Sequence, residues 1–312
     1  MRDGKKPRGM KHRVREEKKR EERVGLGVIV AVLIILVLAS GFFVHSKLTS
    51  PSQDQEASST SELKAAIVDH LSLTYPNQTF IQTATNTLEQ AGNSVDYYPG
   101  EEVTVELYRN LPTHGYGLLV LRVHSTAIHV EGTEVPVTLF TSESYSPTKY
   151  VYEQLNERLA RVAFTAEEAK KGITYFGIRP LFITQSMKGK FQNTIVIMMG
   201  CEGLNNTGMA EAFSEKGAKV YIGWKGSVLA SHTDQATTHL LQHLVLEKQT
   251  VKQAVEATIR EAGLDPIYNS QLTYYPIEAG EHTIQNIAGN LLTSDVEIQH
   301  KAPLTKRKPT TL

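Results

Sequence analysis

The 21 residues from Val24 to Val44 carry no charge and are rich in Val, Ile and Leu. At about 1.5 Å per helical residue they match the roughly 30 Å thickness of bilayer hydrocarbon. The run exceeds the apolar region of a cleaved leader, and a long charged head precedes it, which favours an uncleaved signal anchor at 24–44. Residues 1–23 carry a net charge of +6, and Lys and Arg are retained in the cytoplasm. The expected protein is therefore single-pass, with a cytoplasmic N-terminus and residues 45–312 outside the cell membrane. The head reads as a solvated helix that sets topology and touches acidic lipid headgroups. Nucleic acid is not an expected partner.

The formal net charge of zero hides this asymmetry. Between the basic head and a basic tail at 301–312, which includes Lys306-Arg307-Lys308, the chain carries a net charge of −10. Residues 45–61 read as a flexible linker, because Ser50 to Ser61 is poor in apolar side chains and rich in Ser, Gln, Asp and Glu. Residues 62–300 then form one expected domain, and a hydrophobic content of 40% suits a packed core. A single Cys excludes an intrachain disulfide and a multi-Cys metal site. Sequons at Asn77 and Asn205 are acceptors only if the host glycosylates exported proteins.

From Glu62 onward extended and helical patterns alternate. Leu63–Leu73 has helical spacing, Thr79–Gln82 reads as a short extended run before a helix through Leu88 and Ala91, and Ser94–Tyr98 is extended. Glu101–Arg109 predicts a helix closed by Pro112, and Gly117–Val123 predicts a buried strand. Val130–Phe140 predicts a hairpin turning at Gly132, and Lys149–Lys170 a long amphipathic helix. Thr194–Met199 is the most apolar strand. A helix at Gly208–Lys216, a strand at Ala218–Trp224 and helices near Gln235–Leu246 and Val251–Ala262 follow, the last with a capping box of Thr250 and Gln253. Such alternation implies an α/β fold with a mainly parallel, doubly wound sheet covered by helices on both faces.

In parallel sheets functional groups gather beyond the carboxyl ends of strands. Two reactive side chains sit at such ends, His124 and Cys201. Cys201 follows its strand through Gly200 and is expected near a helix N-terminus, where backbone N–H groups favour a thiolate. Each residue also has a bland reading, a buried core thiol and a polar strand end. Together they are the nucleophile and base that acyl transfer needs.

The pattern resembles the caspase, legumain and gingipain superfamily of cysteine peptidases, including its prokaryotic and CHAT-like branches. The matching pieces are Leu119-Val120-Leu121-Arg122-Val123-His124-Ser125 and Ile195-Val196-Ile197-Met198-Met199-Gly200-Cys201-Glu202-Gly203, with Gly217–Trp224 after them. The resemblance covers roughly Thr79 to Ala262 and implies a caspase-like fold and hydrolysis of peptide or protein substrates through an acyl-enzyme. It makes Cys201 the nucleophile and His124 the general acid. Backbone N–H groups at Ser125 and around Gly200, Cys201 and Glu202 would hold the oxyanion. It implies no metal and no cofactor.

Two departures stand out: Ser125 replaces the usual Gly, and the His-to-Cys interval exceeds that of caspases. His114-Gly115 precedes its strand and so lies at the wrong end of the sheet. Members of the superfamily select one residue before the cut, Asp in caspases, Asn in legumains, Arg or Lys in gingipains. The pocket walls are expected between Trp224 and Asp234, with Asp234 pairing a basic substrate residue or merely capping the helix near Gln235. His232, His239 and His243 read as surface or helix residues rather than ligands. Two other classes stay open: an inactive domain of the same fold that binds or scaffolds, and an unrelated α/β surface domain with a structural Cys.

Overall fold

The computed structural model of the protein describes residues 63–126, 129–130, 133–134 and 136–287. The basic head, the segment 24–44, the linker and the basic tail lie outside these residues. Among the described residues no helix is long and apolar enough to cross a membrane.

The strands in chain order are β1 (Lys64–Asp69), β2 (Ser94–Pro99), β3 (Tyr116–Arg122), β4 (Ser125–Thr126), β5 (His129–Val130), β6 (Thr133–Glu134), β7 (Thr138–Ser144), β8 (Leu159–Val162), β9 (Tyr175–Ile178), β10 (Thr194–Met198), β11 (Ala218–Trp224) and β12 (Leu272–Tyr275). Six of them form a sheet in the order β12-β11-β10-β3-β1-β2. Every pairing is parallel except that of β11 with the edge strand β12. The strand order reverses at β1, next to β3, so crevices at the carboxyl edge open near these two strands.

Both faces of the sheet are buried. Ala65, Ile67, Leu118, Val120, Ile195 and Ile197 pack with the helices Gln78–Gln90, Ala230–Leu241 and Val251–Ala262. Their alternates Ala66, Val68, Leu119, Leu121, Val196 and Met198 pack with Val105–Asn110, Pro180–Gln185 and Gly208–Glu215. A strand with two dry faces needs a near-continuous apolar run, which is what β3 and β10 have. The fold is thus mixed α/β, with a mostly parallel sheet and helices on both faces.

Several local expectations are corrected. Leu63–Leu73 is strand β1 followed by a 3-10 turn at His70–Leu73. Its apolar run is continuous because both faces are covered, and periodicity does not separate such a strand from a helix. Thr79–Gln82 lies inside the helix Gln78–Gln90, whose first turn is capped by the Asn77 side chain. Lys149–Lys170 is not one helix. It holds two five-residue helices, Val151–Leu155 and Ala166–Lys170, on either side of β8. Glu157 breaks it by adopting a left-handed φ of 56°, and Leu159 and Val162 then turn inward. The long interval between His124 and Cys201 is filled chiefly by a second, antiparallel sheet in the order β4-β7-β9-β8. The expected hairpin survives as β5 paired with β6. The capping box of Thr250 and Gln253 forms. The helix expected at Gln235–Leu246 begins earlier, at Ala230, and ends in a π-helical turn at Gln242–Leu246.

The carboxyl edge is held by a buried ion cluster. Arg122, fully buried, donates from Nε and Nη2 to both oxygens of Asp234 at 2.7 and 2.8 Å, and from Nη1 to Asp69 Oδ1 at 2.7 Å. Nη2 also donates to the Tyr75 carbonyl at 2.8 Å. Breaking such a cluster strands a buried charge. Arg122→Met is expected to cost about 3–5 kcal/mol, read from urea unfolding followed by the fluorescence of Trp224, the chain's single Trp; an unchanged midpoint would show the cluster to be dispensable.

Candidate active site

His124 and Cys201 leave neighbouring parallel strands at the same level. The register pairs Leu118 with Ile195 and Leu121 with Met198, and Met199 N–H continues the ladder to the Leu121 carbonyl at 2.9 Å. His124 and Cys201 are separated in sequence by the same interval as those pairs, so they emerge side by side. Both line a cleft of about 200 Å³ together with Leu71, Tyr75, Val228 and Tyr268. The cleft sits over the ends of β1, β3, β10 and β11.

Close packing of the two strand extensions explains Gly200. A Cβ there would lie 2.4 Å from the Val123 carbonyl and 2.4 Å from Ser125 Oγ. Ser125 donates its hydroxyl to the Cys201 carbonyl and so ties one extension to the other. Phe140 N–H donates to the His124 carbonyl, and by the alternation of antiparallel pairs the Ser125 N–H then points away from β7. Glu202 differs from expectation. Its N–H is taken by the Gly226 carbonyl at 2.9 Å and its carboxylate by Ser227 at 2.9 Å, with φ at 62°. Glu202 therefore has no free N–H for an oxyanion.

The electrostatics also depart from the sequence reading. The helix after Cys201 begins only at Gly208, so the sulfur does not sit on a helix N-terminus. Burial pushes the Cys201 thiol up, the Val228 backbone opposes this, and the negative charges of Glu202 and Asp265 add to it. Sγ accepts the Val228 N–H at 3.5 Å. Burial lowers the basicity of His124, as does the nearby Arg122 charge, while Glu168 raises it. The resting pair is therefore a neutral thiol and a neutral imidazole. His124 Nε2 is bonded to Thr74 Oγ1 at 2.8 Å, and its ring stacks on Phe164 at 5.8 Å.

Neither Trp224 nor Asp234 lines the cleft. Trp224 is buried and donates to Thr233 Oγ1 at 3.0 Å, so it stands behind a lining residue. Asp234 is in the second turn of the helix Ala230–Leu241 rather than at its cap. Its carboxylate is committed to Arg122 and to Asn77 Nδ2 at 2.8 Å. A glycan on Asn77 would break that bond. His239 and His243 both pair with Glu261. Among the described residues no three metal-ligating side chains converge.

Three contributors were missed in the sequence. His70 is fully buried beside His124, with ring centroids 5.6 Å apart, and the Thr141 backbone lies against its ring. It ends an apolar strand as His124 does, but β1 reads as a helix and hides it. Asp265 accepts backbone N–H groups from Leu229, Ile267 and Tyr268 and so shapes one cleft wall. Asp265-Pro266 was its signal, a common turn start. Thr74 had none. No protein-family model matches the chain, and no curated protein matches it significantly.

Two outcomes follow. Because the thiol is pushed up, iodoacetamide should alkylate Cys201 at a rate that climbs through pH 7–9.5, with a midpoint above the roughly 8.5 of a free thiol; a reactive plateau near pH 6 would mean a preformed thiolate. Burial, then the proximity of His124, lowers the His70 pKa from 6.5 to about 3. The unfolded chain then takes up this proton first, so the stability is complete above pH 6.5 and is lost as pH falls towards 3. Wild type should lose about 3 kcal/mol between pH 7 and pH 4 that His70→Phe keeps, as measured by urea unfolding at each pH; parallel losses would remove His70 as the source.

Proposed function

We propose that the chain is a caspase-like cysteine endopeptidase held at the membrane by residues 24–44, with its α/β domain outside the cell. The observation that carries the reading is the shared register of β3 and β10, which brings one imidazole and the only thiol to a single cleft. In this mechanism His124 removes the Sγ proton as sulfur attacks the scissile carbonyl, since the resting thiol is protonated. The oxyanion is held by the N–H groups of Cys201 and Ser125. Collapse of the tetrahedral intermediate breaks the C–N bond, and the imidazolium hands its proton to the leaving amine. Water then attacks the thioester, His124 takes the water proton, and the proton returns to sulfur as the acid departs.

A second reading is a binding or scaffolding domain of the same fold. It is favoured by the raised thiol and by the ties of His124 to Thr74 and of Sγ to Val228. For a peptidase these ties must give way when a peptide enters, which empty sites commonly allow. A mixed peptide library incubated with the full-length protein and analysed by mass spectrometry decides between the two. Cleavage should disappear in Cys201→Ala and fall about 10²–10⁴-fold in His124→Ala. Cleavage that survives Cys201→Ala, or its absence in the wild type, favours the scaffold.

A further inference from the structure

The lining of the cleft carries a chemical selection of its own. Its deep surfaces are Leu71, Met199, Val228 and Thr233, each less than a tenth exposed. Tyr75 and Tyr268, about half exposed at 56% and 53%, stand at its mouth. Apart from His124 and Cys201 no lining residue is titratable near neutral pH. The charged groups around the cleft are all satisfied within the protein. Behind the lining, Arg122 is paired with both Asp69 and Asp234, Glu202 is bonded to Ser227, and the oxygens of Asp265 receive three backbone N–H groups, while the charges of Glu202 and Asp265 still act on Cys201.

A charged substrate side chain entering this space would lose its hydration and meet no Asp, Glu, Lys or Arg in the lining to pair with directly. An apolar side chain instead gains by leaving water. In size, about 200 Å³ exceeds the roughly 150 Å³ apolar cavity that accepts a benzene ring. We infer that the cleft selects a medium to large apolar residue, of the Leu, Met or Phe class, immediately before the scissile bond. It thereby excludes the Asp, Asn, Arg and Lys that the superfamily resemblance suggests. This inference rests on the peptidase reading, and two of its determinants are identifiable. Val228 supplies depth. Ala230, at the first turn of the helix Ala230–Leu241, keeps one wall neutral.

The test uses peptidyl acyloxymethyl ketones with Leu, Phe, Arg, Asp or Asn at that position, reacted with the full-length protein. The Cys201 sulfur displaces the carboxylate leaving group and forms a thioether, counted by intact mass. Leu and Phe probes should label at least about tenfold faster than the other three, and His124→Ala should slow that labelling. His124-dependent labelling that prefers Arg, Asp or Asn overturns the apolar selection while leaving the peptidase reading in place. Labelling by no probe, or labelling indifferent to His124, overturns the peptidase reading and the inference with it. In a second arm, Ala230→Asp adds a carboxylate where a helix N-terminus tolerates one. It should raise Arg over Leu labelling at least about tenfold relative to the wild type; no change in that ratio means that Ala230 does not face the bound side chain and overturns the assignment of the cleft as the selecting pocket.

Discussion

The guanidinium of Arg122 is the point from which the carboxyl edge of the sheet is built. It joins three parts of the chain that are far apart in sequence: the end of β1 through Asp69, the turn at Tyr75, and the helix Ala230–Leu241 through Asp234. Each contact fixes something near the cleft. Asp69 caps the turn that carries His70 and Leu71, Tyr75 stands at the mouth, and the helix presents Ala230 and Thr233. His124 follows two residues after Arg122. A buried charge of this kind adds little net stability over an apolar core, but it leaves few alternative arrangements once its partners are chosen. Its cost to nearby chemistry is visible in His124, whose charged form the same guanidinium disfavours.

Around that anchor the two strand extensions come closer than side chains normally permit. Only a glycine fits at residue 200, and the Ser125 hydroxyl closes the gap with a hydrogen bond to the Cys201 carbonyl. The price of such packing is desolvation. The thiol rises, the imidazole falls, and the pair rests uncharged. In the peptidase reading, proton transfer must then accompany attack on the carbonyl rather than precede it, which ties reactivity to the arrival of a substrate. A lining without charged side chains and an uncharged dyad accompany the same burial.

Much of this layout is legible in the linear sequence where the chain has little choice. The apolar runs at Leu118–Leu121 and Ile195–Met198 are too continuous for a half-exposed strand, and they end at His124 and Cys201. The capping box at Thr250 is readable because it is local. Where the reading failed, long-range burial outweighed local pattern. Lys64–Asp69 has helical spacing of apolar residues, but its position between β2 and β3 makes it a strand. Lys149–Lys170 looks amphipathic throughout, yet β8 is drawn out of it by pairing with β9. Asp234 reads as a pocket wall or a helix cap because its partner, Arg122, is 112 residues away.

The sequence by itself determined the alternation of strands and helices, the two strand ends that carry His124 and Cys201, and the glycine between strand and sulfur, because backbone sterics and apolar runs act over a few residues. The tertiary structure alone decided that these ends share one level and one cleft. It also decided that no Asp, Glu, Lys or Arg lines the cleft, that His70 packs behind His124 and Asp265 holds the wall residues Leu229 and Tyr268, and that thiol and imidazole rest neutral. Each of these depends on register, burial and the pairing of distant charges, which are properties of neighbours in space rather than along the chain.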